Sequence, residues 1–140
     1  MKLVLVPVVV LGLAASLFAC TSSPGPSPTP TPTPTPPANT FGTLATAGQT
    51  LYATACASCH GNNGQGGIGP PLWGTGAHLS GYKTGQGLLD YVTKTMPPGS
   101  PGSLSHQDYL NLLGYLLVQN NDASATTTFN ESQLGAVTLK

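Results

Sequence analysis

The five-residue stretch C-A-S-C-H, residues 56–60, constrains the fold more than any other part of the sequence. On a helix, the side chains of Cys56, Cys59 and His60 share one face, because residues three and four apart are neighbours. This spacing is typical of covalent haem c attachment, in which each thiol adds across a vinyl group. His60 is then placed to bind the iron as the proximal ligand.

Three other interpretations of the two cysteines have less support. A thioredoxin-like site needs a strand before the motif, whereas the residues before Cys56 have helical spacing. A structural zinc site needs a fourth ligand and a second pair of ligands, which the sequence does not offer. A disulfide between Cys56 and Cys59 would leave His60 unexplained. The motif therefore favours haem.

Charge is scarce along the chain. Its 140 residues include four lysines, no arginine and four acidic residues. A nucleic-acid-binding protein needs a basic patch, and this composition cannot form one. Proline and glycine cluster, so that only the residues after about Thr40 can fold compactly.

Residues 1–19 are predicted to be a secretory signal peptide. Lys2 precedes an apolar run that ends at Phe18, as in such peptides. The stretch that leads to Cys20 resembles a bacterial lipobox, in which the cysteine is acylated and becomes the N-terminus. Cys20 is also the one cysteine that haem would not use. The alternatives are an uncleaved anchor helix and a cleaved signal with an incidental cysteine.

Residues 20–40 are predicted to be the lipidated cysteine followed by a linker. Ser-Pro and Thr-Pro repeats dominate this stretch and favour extended polyproline II structure. Twenty such residues reach roughly 60 Å. We expect the folded domain to be tethered to a membrane surface at that range.

The first helix of the domain is expected over residues 47–60. Thr46 and Gln49 have the spacing of a capping box, and apolar residues follow at helical intervals. Gly61 suits the end of this helix, because glycine accepts left-handed geometry.

The remaining chain divides into a loop, two helices and a tail. Residues 61–81 hold eight glycines and two prolines and are predicted to be a loop that wraps a flat ligand closely. A second helix is expected from residue 85 or 86 to 95. A third is expected over 106–118, with Ser105 as its N-cap. Residues 123–140 form a polar tail, in which four apolar residues could dock: Phe129, Leu134, Val137 and Leu139.

The second axial position of the iron has one thioether candidate. Met1 is removed with the signal, so Met96 is the methionine that remains. It lies at a predicted helix end and is followed by two prolines, which stiffen the loop and lower the entropy cost of ligation. His78, in the glycine-rich loop, is the competing ligand. His106, in the first turn of the last helix, is expected to face water.

In these features the chain resembles a class I c-type cytochrome of the monohaem, membrane-anchored bacterial lipoprotein type. The resemblance covers about residues 43–119 and has five carriers: Gly48-x-x-x-Tyr52, the C-A-S-C-H motif, Gly69-Pro70-Pro71-Leu72, Met96-Pro97 and Leu112-x-x-Tyr115. It implies an all-α fold, over residues 41–122, in which about three helices wrap one haem c. It also implies that the Pro70 carbonyl accepts a hydrogen bond from Nδ1 of His60.

The expected function is one-electron transfer without catalysis. The haem would be attached through Cys56 and Cys59 and ligated by His60 and Met96. The carrier would work outside the cytoplasm, with redox proteins of a respiratory or photosynthetic chain as partners. Two alternatives are a haem sensor or enzyme with an open iron site, and the electron-entry subunit of a larger membrane oxidoreductase.

Overall fold

The structure, a computed structural model, describes residues 39–140. The predicted signal peptide, Cys20 and nearly all of the predicted linker lie outside the described residues. The described part contains four α-helices and two short 3₁₀ helices, and no helix in it is long and apolar enough to cross a membrane. The helices are α1 (Phe41–Ala55), α2 (Ala57–His60), the first 3₁₀ helix (Leu79–Tyr82), α3 (Gly85–Thr95), α4 (His106–Gln119) and the second 3₁₀ helix (Glu131–Ala136). The predicted all-α fold is confirmed, with α1, α3 and α4 as its three main helices.

The start of α1 differs from the sequence prediction. Thr40 is the N-cap, and its hydroxyl accepts a hydrogen bond from the Thr43 amide while the Thr43 hydroxyl accepts one from the Thr40 amide. The predicted capping box at Thr46 is therefore wrong, since the Thr46 hydroxyl donates to the Gly42 carbonyl instead. The helix begins six residues earlier because Phe41 is buried in the main core. Local spacing gives no sign of that tertiary contact.

The end of the first helical segment also differs. Cys56 has φ −122° and separates α1 from the one-turn helix α2, so the cysteines are not on one continuous helix. The amides of Cys59 and His60 still donate to the Cys56 carbonyl, at 3.1 and 3.0 Å. The motif thus keeps a helical turn, and its side chains keep a common face.

Helices α3 and α4 match their predicted positions. Thr84 caps α3 through a hydrogen bond from the Gly87 amide, and Ser105 caps α4 through one from the Asp108 amide. Helix α4 ends at Gln119, one residue beyond the prediction. Both caps are local hydrogen bonds between residues three apart; the predicted Ser105 cap is confirmed, whereas the Thr84 cap was not predicted from the sequence.

Two glycines allow α1 and α4 to cross closely. A Cβ on Gly48 would collide with the backbone carbonyl of Asn111 and lie 2.9 Å from Cβ of Tyr115. On the opposite helix, a Cβ on Gly114 would collide with Cβ of Leu44. The crossing therefore depends on the absence of a side chain at both positions.

Gly48→Ala is expected to lower the free energy of unfolding by roughly 2–3 kcal/mol, because the methyl group meets backbone that cannot move aside. Urea unfolding followed by circular dichroism measures the loss. Gly135→Ala is the matched control, since a Cβ there meets no atom within 4 Å, and it should change stability by less than about 0.5 kcal/mol. Equal stability of the two variants would contradict the proposed role of Gly48.

Candidate functional site

One cleft of about 210 Å³ brings the predicted haem residues together. Its walls come from the α1–α2 turn, the loop after α2, the first 3₁₀ helix, α3 and α4. Five residues that the sequence singled out line it: Cys56, Cys59, His60, Pro70 and Met96. Most of the other lining side chains are aliphatic or aromatic, so the cleft suits a large apolar group with a few polar attachment points.

Both cysteine side chains are partly buried at the cleft, and no disulfide joins them. Burial, and then the proximity of Cys59, raises the pKa of Cys56 to about 11. Before haem is attached, the Cys56 side chain is therefore a neutral thiol at physiological pH, and its environment suits an apolar thioether.

His60 is buried and held by one backbone hydrogen bond. Its Nδ1 lies 2.8 Å from the carbonyl oxygen of Pro70. Because a carbonyl only accepts, Nδ1 carries the proton and Nε2 keeps its lone pair. This is the tautomer in which a histidine can bind a metal through Nε2 while a second contact fixes the ring.

Glycine at position 69 lets the loop approach the imidazole. A Cβ there would lie 2.7 Å from Cε1 of His60. The Gly69 amide donates to the Cys59 carbonyl at 2.8 Å, and the Gly66 amide donates to the His60 carbonyl at 2.8 Å. The loop is thus bonded back onto the motif at two points just before Pro70, which holds the Pro70 carbonyl close to the imidazole.

A second set of contacts, which the sequence analysis did not identify, holds the same loop from outside the cleft. Trp73 packs on Gly64, and its ring lies 5.0 Å from that of Tyr52 and 5.5 Å from that of Tyr115. The Asn120 side chain donates to the Leu72 carbonyl at 3.0 Å. These contacts join residues 9 to 48 apart in sequence, and helical periodicity does not predict them.

Met96 follows the motif in sequence and is the C-cap of α3. Its amide donates to the Val92 carbonyl at 2.9 Å, and its carbonyl accepts a 2.8 Å hydrogen bond from the Tyr109 hydroxyl. Tyr109 is 2% exposed and lines the cleft. It therefore fixes the Met96 backbone from α4, a role that the sequence analysis missed.

The two remaining histidines, His78 and His106, differ in whether they line the cleft. His78 is exposed but lines the cleft, just before the first 3₁₀ helix. His106 does not line the cleft; its ring pairs with Glu131 at 2.9 Å, and both side chains are largely exposed. The expectation that His106 faces water is confirmed, and His78 stays a geometric alternative to Met96.

Two tyrosines form the aromatic wall next to His78. The rings of Tyr82 and Tyr91 lie 4.6 Å apart, and both line the cleft. Burial, and then the hydrogen bond and charge interaction with Tyr91, raises the pKa of Tyr82 to about 12. The Tyr82 hydroxyl is therefore neutral near neutral pH.

Comparison with known proteins identifies the family. The sequence profile described as Cytochrome C oxidase, cbb3-type, subunit III matches residues 43–116. Cytochrome c-554(547) of Halothiobacillus neapolitanus is 39% identical over 85 residues, which cover 51% of this chain and 92% of that protein.

Two further relatives are larger proteins. Thiosulfate dehydrogenase of Stutzerimonas stutzeri is 33% identical over 81 residues, which are 49% of this chain but only 25% of the enzyme. Thus the chain spans about a quarter of the length of that relative. The crystal structure of the sulfane dehydrogenase SoxCD from Paracoccus pantotrophus is similar with a TM-score of 0.58 and 27% identity, over 68% of this chain and 52% of that one.

The profile match, the near full-length match to a cytochrome and the haem-attachment motif agree with the apolar cleft. Proteins of this kind carry covalently bound haem c, and the described residues hold one attachment motif at one cleft. The chain belongs to the c-type cytochrome family that the cbb3-type oxidase subunit III profile represents, and it is a monohaem c-type cytochrome.

Proposed function

We propose that this cytochrome is a one-electron carrier whose haem iron is closed on both sides by protein ligands. The observation that carries the proposal is that His60 and Met96 line the same cleft as both motif cysteines. Cys56 and Cys59 would hold the macrocycle through thioethers, Nε2 of His60 would bind the iron, and Met96 would bind it from the other side. When bound, the haem supplies a one-electron Fe(III)/Fe(II) couple.

The chain's own residues then position the group and set its environment. The hydrogen bond that Nδ1 of His60 donates to the Pro70 carbonyl raises the basicity of Nε2. The apolar lining excludes water, and a thioether ligand favours the reduced iron, so that both raise the reduction potential. With two protein ligands no substrate reaches the iron, which separates a carrier from an enzyme or gas sensor.

Carbon monoxide tests whether the iron is closed. We expect the reduced native protein to show no rapid spectral change with carbon monoxide, because Met96 occupies the position where the gas would bind. Met96→Ala should bind it readily, as followed by absorption spectroscopy. The control is His78→Ala, whose histidine also lines the cleft. Ready binding by the native protein, or by the His78 variant alone, would exclude Met96 as the ligand.

We further propose that the cytochrome is tethered outside the cytoplasm of a bacterium. In this proposal residues 1–19 are removed, Cys20 carries lipid, residues up to 40 form the tether, 41–122 form the cytochrome domain and 123–140 are its C-terminal segment. The lipobox-like stretch supports the anchor, and two acyl chains or more are needed for stable attachment.

Cys20→Ser is expected to move the cytochrome from the membrane fraction to the soluble fraction, because the acceptor thiol for the lipid is lost. Haem absorbance in fractions from cells that export the full chain measures the distribution. Ser22→Ala, two residues downstream, is the control and should stay on the membrane. Retention of the Cys20 variant would indicate an uncleaved anchor helix instead.

A second candidate is electron transfer within a sulfur-oxidising oxidoreductase. The likeness to the sulfane dehydrogenase SoxCD structure and to thiosulfate dehydrogenase favours it. In this role the chain would accept electrons from a separate catalytic site, since its own iron would be closed.

Thiosulfate added to the purified ferric cytochrome should produce no reduced spectrum, because the closed iron offers no site for the anion. Addition of a periplasmic extract of the source bacterium should then reduce the haem if a dehydrogenase is the electron donor. Reduction by thiosulfate alone would indicate an enzyme rather than a carrier. No reduction with the extract would argue against the sulfur-oxidising role.

A further inference from the structure

Residues 120–140 lie beyond the family match, which ends at residue 116. We propose that this segment, here called the C-terminal strap, positions α3 and thereby holds Met96 on the iron. The inference rests on the proposed role of Met96 as a ligand. The strap is bonded at two places. Its first arm, residues 125–129, is bonded to α1, the helix before the haem motif, and its second arm, residues 134–139, is bonded to the start of α3, the helix that Met96 caps.

The first arm of the strap is bonded to the start of α1. The amides of Phe41 and Gly42 donate to the carbonyls of Thr127 and Ala125, at 3.0 and 2.9 Å. The rings of Phe41 and Phe129 meet edge to face, with centroids 5.4 Å apart. This arm satisfies amides that a helix N-terminus otherwise leaves without partners, and it anchors the strap to the start of α1, the helix that leads to the haem-attachment motif.

The second arm makes the equivalent contacts with the start of α3. The Gly85 amide donates to the Val137 carbonyl at 2.8 Å, and the Leu139 amide donates to the Lys83 carbonyl at 3.0 Å. Leu134 is completely buried, and a Cβ on Gly85 would lie 3.3 Å from both its Cδ2 and its carbonyl oxygen. Hence the first turn of α3 rests directly on the strap.

Helix α3 transmits this contact to Met96. The helix has 11 residues and Met96 is its C-cap, so the strap contact lies roughly 16 Å from the ligand along a rigid rod. After Met96 the chain enters a loop with three prolines and two glycines before α4. The far end of the rod is bonded to α4 through the Tyr109 hydroxyl, and the near end is bonded to the strap.

A thioether is a weak ligand for iron, so small displacements of α3 decide how often the iron is open. An exogenous ligand binds only the open state, and its apparent affinity rises in proportion to the open fraction. If the strap held the fold together in general, damage to either arm would have the same effect. If it positions α3, only damage to the second arm will raise that affinity.

Imidazole binding to the ferric, haem-loaded cytochrome tests the inference. Leu134→Ala removes the packing under α3, and Phe129→Ala removes comparable packing under α1; both residues are buried. We expect Leu134→Ala to raise imidazole affinity at least about tenfold and to weaken the Met–Fe(III) charge-transfer band, and Phe129→Ala to change affinity by less than about threefold. Urea unfolding should show that both variants lose stability.

The milder pair Leu134→Val and Phe129→Leu serves if the alanine variants do not fold, and the same ordering is expected. Leu134→Ile, which keeps the volume of the side chain, should bind imidazole with near-native affinity. Equal affinity increases in both arms, or no increase in the Leu134 variants, would overturn the inference. Met96→Ala distinguishes a failure of the strap inference from a failure of the proposal that Met96 is the iron ligand. If it binds imidazole no better than the native protein, Met96 is not the ligand, and the inference fails with it.

Discussion

The rest of the structure depends on the close crossing of α1 and α4 at Gly48. Because no side chain separates the Gly48 backbone from the Asn111 carbonyl, Tyr52 of α1 and Tyr115 of α4 meet with their rings 5.5 Å apart. Trp73 completes that cluster and fixes the loop that contains Pro70. The helix crossing thus helps to fix the loop that orients the histidine of the motif.

Around the cleft, polar groups are paired with the protein rather than aimed at the cavity. Nδ1 of His60 is bonded to Pro70, the hydroxyl of Tyr109 to Met96, and the hydroxyl of Tyr52 to Gly61 at 2.6 Å. A largely apolar cavity disfavours the extra positive charge of a ferric iron relative to a ferrous one. This arrangement agrees with membership of an electron-carrying family.

The C-terminal strap extends the fold of this chain beyond the part that matches the family profile. It supplies hydrogen-bond partners to the first turns of α1 and α3, and its apolar residues Phe129, Leu134 and Leu139 join the main core. A family match over residues 43–116 contains neither the N-cap of α1 nor any residue of the strap. The two segments satisfy each other's backbone groups, because the Phe41 amide donates to the Thr127 carbonyl and the Phe129 amide donates to the Asn39 carbonyl.

The sequence by itself determined the cofactor, the helical class, the bounds of α3 and the cap of α4, because attachment spacing, helix-ending prolines and capping hydrogen bonds are local properties of a few neighbouring residues. It also identified the five haem-binding candidates that line the cleft: Cys56, Cys59, His60, Pro70 and Met96. Tertiary structure decided the early start of α1, the break at Cys56, the hydrogen bond from Tyr109 to Met96 and the places at which the apolar residues of the strap dock. Each of these depends on atoms that lie far apart in the chain, such as Phe41 against Phe129. Such contacts form only when helices pack, and no local pattern encodes them.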